Sequence, residues 1–541
     1  MNPPAATLRA GDTALPPPAA ARRGDLDALR GFAMLLGIAL HASLAYFPCP
    51  WPVQDPRQTR WLALLFGAVH GFRMPLFFLL SGFFTMLVLR RRGLRRLLEQ
   101  RALRILVPLL LASATLLPLD RAVFAWAISR GLAATAAQDP LGGAILAGDA
   151  AAVRRLLDAG PDLSRRDPRS GLAPLSAAAL AGDTALVTTL LDAGAPLDAR
   201  DQDGSTALHA AAFMGLPAVV ELLLARGADP AATNGSGKTP LEVTGTPAEV
   251  AVLVAEFVGL PRPAEADVER GRRRTREILV PRSPATVPQG PLAAVTARYR
   301  AVLGSPALAL TVAGRSWQVF ETNAFDHLWF LWHLCWLVAA FALATALGLG
   351  PTGRRRWWLV PASCLPFALT WAPFGPDTAL GIVPAPHVLL FYACFFWFGA
   401  ATFAAEGEAS PLGTRWLVVL PVTILVVFPA GIATLADRPL AAVLHPAYAW
   451  GMSLGLIGLF RRFLASERPA VRWLSDASYW MYLSHLPVVV VAQALLHDRP
   501  WPAAVKFLVV LVTTVAVTLV TYRWCVRFTP LGWLLNGPRS R

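Results

Sequence analysis

The sequence predicts an all-α polytopic membrane protein: a helix bundle of about ten transmembrane helices, interrupted by an inserted helical solenoid. Three observations predict it. Hydrophobic residues fill 55% of the 541 positions and charged residues only 15%, against about 25% charged in average soluble domains. Apolar runs of roughly 20 residues, enough to cross a bilayer core about 30 Å thick, recur in two blocks. Between the blocks lies a polar stretch that repeats itself every 33 residues.

The elements follow in chain order. Residues 1–24 are rich in Pro and Ala and read as a disordered tail, without the basic-then-apolar order of a signal peptide. The first membrane part, 25–130, holds spans at 26–47, 61–89 and 105–128. Pro75 predicts a kink in the second. Asp120 and Arg121 interrupt the third near its end. The second membrane part, 325–527, holds seven spans, at 325–348, 357–374, 387–403, 416–435, 445–460, 474–496 and 503–526. A short tail, 528–541, closes the chain.

The net charge of +15 is almost all arginine; Lys238 and Lys506 are the only lysines. Arginines cluster at 22–23, 90–104, 354–356, 461–472 and 523–541. With ten spans every cluster falls on one side, which the positive-inside rule makes cytoplasmic. The charge therefore orients membrane helices and predicts no nucleic-acid partner. Both termini are expected inside. The five cysteines, Cys49, Cys335, Cys364, Cys394 and Cys525, are odd in number and lack metal or CxxC spacing, so no disulfide framework and no metal site is expected.

The polar insert, 135–258, carries SGLAPL at 170–175, DGSTAL at 203–208 and SGKTPL at 236–241. Leu-Leu-x-x-Gly marks end at Gly160, Gly194 and Gly227. Thr206-Ala207-Leu208-His209-Ala210-Ala211 resembles the TPLHxA signature of ankyrin repeats. Three to four such repeats would stack into one core. Gly235 to Thr239 imitates the end of a phosphate-binding loop, but its first glycine would fall on Ala232, and the repeat phase accounts for these residues without a nucleotide. The span count puts the insert in the periplasm. It reads as a docking surface for a protein partner or as a tolerated loop insertion. Residues 259–324 read as a Pro/Arg-rich linker, with 271–274 as a surface for anionic lipid or glycan.

Ionisable groups inside a membrane are costly and mark functional sites by default. Arg30 and His41 are 11 residues apart, which returns them to one helix face, about 16 Å apart along the axis. Arg30 holds an anionic group at one end or snorkels to headgroups; His41 does proton chemistry at the other or packs. His70 and Arg73 lie deep in span two. His327 and His333 are six apart, so one of them at most faces a shared site. Tyr482 and His485 share a face of span nine. His387 and His445 start spans, where interfacial solvation is expected. Arg101 and Arg104 lie one turn apart at a membrane mouth, a spacing suited to bidentate phosphate contacts.

Together these pieces resemble the acyltransferase family 3 integral membrane O-acyltransferases. The resemblance rests on the Arg30-to-His41 spacing, FRMPLFFLLSG at 72–82, Arg101-Ala102-Leu103-Arg104 with Pro108, DHLWFL at 326–331, and SYWMYLSH at 478–485. The FRMPLFF and HLWFL wording looks most like the glucan biosynthesis protein C branch, associated with succinylation of periplasmic glucans. It implies an acyl-CoA donor entering from the cytoplasm, with its phosphates on Arg101 and Arg104 and help from Arg30. His41 is implied as general base on an acceptor sugar hydroxyl, and Arg73 or His327 as stabiliser of the oxyanion. His70, His485 and Tyr482 are implied to line the substrate site. No bound cofactor is implied. Rival readings are a transporter that uses the same polar residues, and a membrane scaffold led by the repeats.

Overall fold

A computed structural model of the chain describes residues 23–537, apart from 50, 168–169, 236, 247, 283–290, 306–307, 313–314, 321–322, 371–373, 379–380, 436 and 467. The tail before Arg23 and the arginines at 539 and 541 lie outside the described residues.

Helix α1 (Gly24–Ser43) carries Asp25 and Asp27 in its first turn, where acids complement the helix dipole. Helix α2 (Arg60–Arg101) reverses at Gly93, whose φ of 76° demands a residue without Cβ. A π-turn over Ala102–Leu106 follows, and α3 (Val107–Gln138) returns through the bundle. Asp120 and Arg121 do not end this third span: its helix continues to Gln138, straight into the insert.

The insert is four helix pairs: α4 (Pro140–Leu146) with α5 (Ala150–Leu157), α6 (Pro174–Ala181) with α7 (Thr184–Asp192), α8 (Ala207–Met214) with α9 (Pro217–Ala225), and α10 (Pro240–Val243) with α11 (Ala248–Val258). Asp139, Asp149 and Asp183 cap helix starts through their carboxylates. Leu175, Val187, Leu208, Val220 and Ala255 belong to one continuous apolar core. Lys238 N donates to Asn234 Oδ1, and the Thr239 hydroxyl is committed to Glu242. The Gly235-to-Thr239 stretch is thus a repeat turn.

The segment expected as a linker is a correction. Within 259–324, α12 (Glu265–Leu279) packs Val268 and Leu279 into the repeat core. Arg272, expected on an anionic-ligand surface, is fully buried and donates to the Phe213 and Thr246 carbonyls. Arg276 donates to Thr244 O at 2.6 Å. The guanidinium fork satisfies carbonyls that the last repeat leaves open. Helix α13 (Pro291–Leu303) and a two-stranded antiparallel hairpin, β1 (Ala309–Val312) with β2 (Arg315–Gln318), complete this segment. The hairpin is a small departure from an all-α chain.

The second membrane part begins with α14 (Trp329–Ala346). The expected span 357–374 is not one helix. It is a 3₁₀ stretch, Gly353–Trp358, followed by α15 (Leu359–Ala362) and α16 (Cys364–Phe367). Pro361 and Pro366 each remove a helix N–H, which explains the break. The segment still runs the length of α17 (Pro386–Glu406): Trp357 packs on Phe398, Phe367 on Phe391, and Asp377 on His387. Helices α18 (Trp416–Val422) and α19 (Phe428–Ala433) flank a second π-turn. Then come α20 (Arg438–Phe463), α21 (Pro469–Leu496), α22 (Ala503–Thr521) and α23 (Pro530–Asn536).

Among the described residues eight helical stretches are long and apolar enough to cross a membrane; one of them, Arg60–Leu132, holds two expected spans, so nine of the ten are accounted for. Helices α2 and α17 touch backbone to backbone. A Cβ on Gly82 would meet Phe396 O at 1.8 Å, and one on Gly399 would meet Leu79 O at 1.9 Å. Small residues permit such approach between membrane helices.

The two ends of the bundle differ. At one end Arg23, Arg91, Arg356 and Arg461 converge on the 406–410 turn. At the other, Lys506 meets Asp55 at 2.6 Å, Arg130 meets Asp498, and Gln202 of the insert donates to Gln58 at 2.6 Å. The insert and the arginine-rich connections thus lie at opposite ends.

Candidate active site

Helices α1 and α21 lie side by side and parallel. Gly24 abuts Ser466, Arg30 meets Ser475, and His41 meets His485. Because Arg30 and His41 share a face, α21 receives both.

His41 Nδ1 lies 2.8 Å from His485 Nε2. The network assigns the protons. His485 Nδ1 faces the Met481 and Tyr482 carbonyls at 3.0 and 2.9 Å, so it carries a hydrogen. Neutral His485 then accepts at Nε2 from His41 Nδ1–H. His41 Nε2 is left with a lone pair and no hydrogen bond among the described residues. An imidazole oriented through one nitrogen and open at the other is the arrangement of a general base.

Three groups surround this pair. Gln493, 2% exposed, donates to the His41 and Ala42 carbonyls at 3.1 Å and accepts from Trp51 Nε1 at 2.7 Å. Arg73 lies against α1 where Gly37 makes room; a Cβ there would fall 1.9 Å from Arg73 Nη1. Arg73 Nε is buried with no hydrogen-bond partner among the described residues, and its charge acts on both His41 and His485. His327 stands with its ring perpendicular to His485, centroids 5.5 Å apart. Tyr482 OH donates to the His327 carbonyl at 2.7 Å.

His327 is hydrogen-bonded at one nitrogen and faces a carboxyl with the other. Nε2 faces Leu483 O at 3.2 Å, so it carries the hydrogen, and Nδ1 faces Asp120 Oδ2 at 3.5 Å. Both partners are almost fully buried, and neither Asp120 oxygen has a hydrogen-bond donor among the described residues. Two acceptors facing each other in a dry interior repel unless a proton lies between them.

A second group gathers nearer the arginine end. Arg30 donates to Ser475 O and Oγ at 3.0 and 2.8 Å and pairs with Asp27 at 3.8 Å. One turn on, Tyr479 OH donates to Arg104 O at 2.8 Å. Arg101 donates to Thr85 Oγ1 at 3.0 Å, while Arg104 sits within the π-turn. Such turns recur at functional sites. From Ser475 to His485 is roughly 15 Å of helix, so the guanidinium group and the histidine pair occupy different depths along one wall.

His70 lies near the histidine pair, within electrostatic reach of His41, where it faces Pro376 O at 3.1 Å and stacks on Phe66. The other expected residues separate from these groups. His333 turns back to Trp329 O and stays outside the site. His387 and His445 are corrected: neither is solvated, because both are buried against protein. His387 is 1% exposed, 2.9 Å from Asp377 and 3.0 Å from Tyr299 OH, and His445 is buried against Phe374. Asp120, Trp51 and Gln493 join the site without having been singled out as site residues. An acid and an amide within apolar spans were the available signals for two of them; Trp51 lies in a loop and offered none.

The acyltransferase-domain family model matches residues 23–142 and 270–523, which is more than half of the chain and includes every residue of both groups. This chain belongs to the acyltransferase 3 family. An ankyrin-repeat model of three copies matches 141–234, inside the gap between the two acyltransferase segments. Similar proteins include glucans biosynthesis protein C of Escherichia coli K12, 38% identical over 96 residues, which are 18% of this chain and 25% of that protein. Its namesake from Salmonella paratyphi B is 39% identical over 87 residues, 16% of this chain and 23% of the relative. The chain spans about a quarter of the length of these relatives. A solved structure of the Bcl-3 ankyrin repeat domain is 36% identical, covers 19% of this chain and 45% of its own, and gives a TM-score of 0.19. The chain is thus an acyltransferase 3 domain in two segments with ankyrin repeats between them.

Proposed function

We propose that this chain is an acyltransferase transferring a group other than an aminoacyl group: it moves an acyl group, succinyl or acetyl, from cytoplasmic acyl-CoA to a hydroxyl of an extracytoplasmic glycan. The observation that carries the reading is the open Nε2 lone pair of His41, oriented by His485. His41 Nε2 takes the acceptor hydroxyl proton as the oxygen attacks the thioester carbonyl. The oxyanion forms beside Arg73, a preorganised cation that offsets the developing charge. Collapse breaks the C–S bond, and the departing CoA thiolate takes the proton from His41. His327 commits Nε2 to Leu483 O and turns Nδ1 toward Asp120, so oxyanion stabilisation falls to Arg73, and His327 orients Tyr482 and His485. His70 lines the approach.

Acyl-CoA enters as a substrate rather than a resident cofactor. Arg101 and Arg104, with Arg30, hold its phosphates and the pantetheine arm runs along α1. The placement of arginines and insert at opposite ends supports cytoplasmic termini and a periplasmic insert in a bacterial inner membrane. The name carried by the similar proteins supports a glucan as acceptor. The ankyrin repeats serve a protein partner on that side.

The test is acylation of cell-envelope glycans, read by mass spectrometry in cells with the wild type or His41→Ala at equal protein levels. Loss of the acyl group with His41→Ala is expected; unchanged acylation would sink the assignment. A periplasm-active reporter fused near Asp201 should be on, and a dark reporter reverses the orientation.

A further inference from the structure

We infer that Trp51 is the platform of an acceptor subsite, on which a pyranose ring of the glycan lies flat while presenting a rim hydroxyl to His41. The inference rests on the acceptor being a glycan and adds where and how the sugar is held.

The ring of Trp51 lies beside that of His41 in a nearly parallel plane, centroids 6.0 Å apart and 14° between planes. The lone pair of an imidazole nitrogen lies in its ring plane. His41 Nε2 therefore points along a layer parallel to the indole face. A pyranose carries C–H bonds on its faces and hydroxyls around its rim. Laid on the indole, it occupies such a layer with hydroxyls edge-on to the base, which is the orientation that proton removal needs.

The indole is held for this purpose. Its N–H is given inward to Gln493, the amide that also grips the His41 and Ala42 carbonyls. Its ring meets that of Phe124 in a T-shaped contact, centroids 5.5 Å apart. The loop behind it is pinned by the buried Asp55–Lys506 pair and by Asp55 N to Ala45 O at 2.8 Å. Trp51 itself stays half-buried. A tryptophan serving only as a membrane-interface anchor presents its N–H to the wet headgroup layer. Trp51 does the reverse, turning its polar edge inward to Gln493 while the side chain keeps part of its surface exposed. An aromatic face also reads a sugar without fixing which hydroxyl identity it carries, so it suits successive residues of a polymer.

The test uses the full-length protein in detergent, with a linear glucose oligosaccharide as probe in calorimetry and as acceptor in kinetics. Trp51→Ala and Trp51→Leu are each expected to weaken binding at least tenfold and raise the acceptor KM by a similar factor, with the donor KM within twofold. Trp51→Phe is expected to retain most of both. Binding that survives in Trp51→Leu overturns the platform, because apolar bulk without a π face then suffices. A rise in donor KM instead assigns the ring to the acyl chain and also overturns it. Absence of saturable binding to the wild type overturns the subsite outright. Acyl transfer by the same preparation to another acceptor would then show that the broader glycan reading has failed with it, whereas glucan acylation without this binding would leave that reading standing.

Discussion

His41 Nδ1 and His485 Nε2 are 2.8 Å apart although 444 positions separate them in the chain. The parallel packing of α1 on α21 makes this contact, and the carbonyls behind His485 set which nitrogen of His41 is left as a base. Removing the orienting partner leaves the base present but free to rotate and change tautomer. His485→Ala is therefore expected to lower kcat by about 10²-fold, in the range of general-base contributions, with little change in donor KM. Steady-state acyl transfer in membranes checks it; equal losses in kcat and donor affinity would point to a packing defect.

Gly37 governs Arg73. A methyl at 37 needs the space that Arg73 Nη1 occupies, 1.9 Å away. Gly37→Ala is expected to reproduce the loss caused by Arg73→Ala, about 10²- to 10³-fold in kcat as for removal of one oxyanion donor. The double variant should be no worse than either single one, since both remove the same interaction. Additive losses would separate the two residues.

Asp120 is buried facing His327 Nδ1. Asn at 120 removes a costly buried carboxyl and can donate its amide hydrogen to His327 Nδ1. Asp120→Asn is expected to keep or slightly raise stability, by about 1 kcal/mol at most, while kcat falls roughly tenfold because the acid that orients His327 behind Tyr482 and His485 is gone. Thermal unfolding beside kinetics measures both. A fall in the midpoint with unchanged turnover would make the pair structural.

Arg272 closes the repeat stack. Burial pulls its guanidinium down to about 10, so it stays charged at neutral pH among carbonyl acceptors. Arg272→Ala orphans the Phe213 and Thr246 carbonyls and is expected to cost about 2 kcal/mol. Arg272→Lys should recover little, having one compact cation in place of a fork. Hydrogen exchange of 207–279 in the full-length protein reads the loss.

Asp201 makes the insert sensitive to pH. Burial pushes its carboxyl up to about 7, against the hydrogen bond from Ala173 N at 2.7 Å that favours the charged form. Its folded value lies above its unfolded one. Its stabilising contribution is therefore full below about pH 4 and is lost as pH rises through about 7, on the order of 4 kcal/mol at most. Hydrogen exchange of the insert should slow as pH is lowered from 8 to 5, after correction for intrinsic exchange. Asp201→Asn should flatten that change.

Much of this molecule was legible locally. Hydropathy marked the membrane helices because the bilayer sets their length, and a 33-residue step with turn Gly marked the repeats. Helix geometry alone put Tyr482 and His485 on one face and separated His327 from His333. Even the broken fifth span was written in Pro361 and Pro366, although hydropathy ran past them. What a helical period never states is which face meets which. The pairing of His41 with His485, the seat of Arg73 against Gly37, the burial of Asp120 against His327 and of His387 against Asp377, and the docking of α12 on the last repeat were decided only by tertiary packing. Periodicity is a property of neighbours three or four residues apart, whereas each of these contacts joins separate elements, and the proton on His41 follows from a network that exists only once those elements are packed.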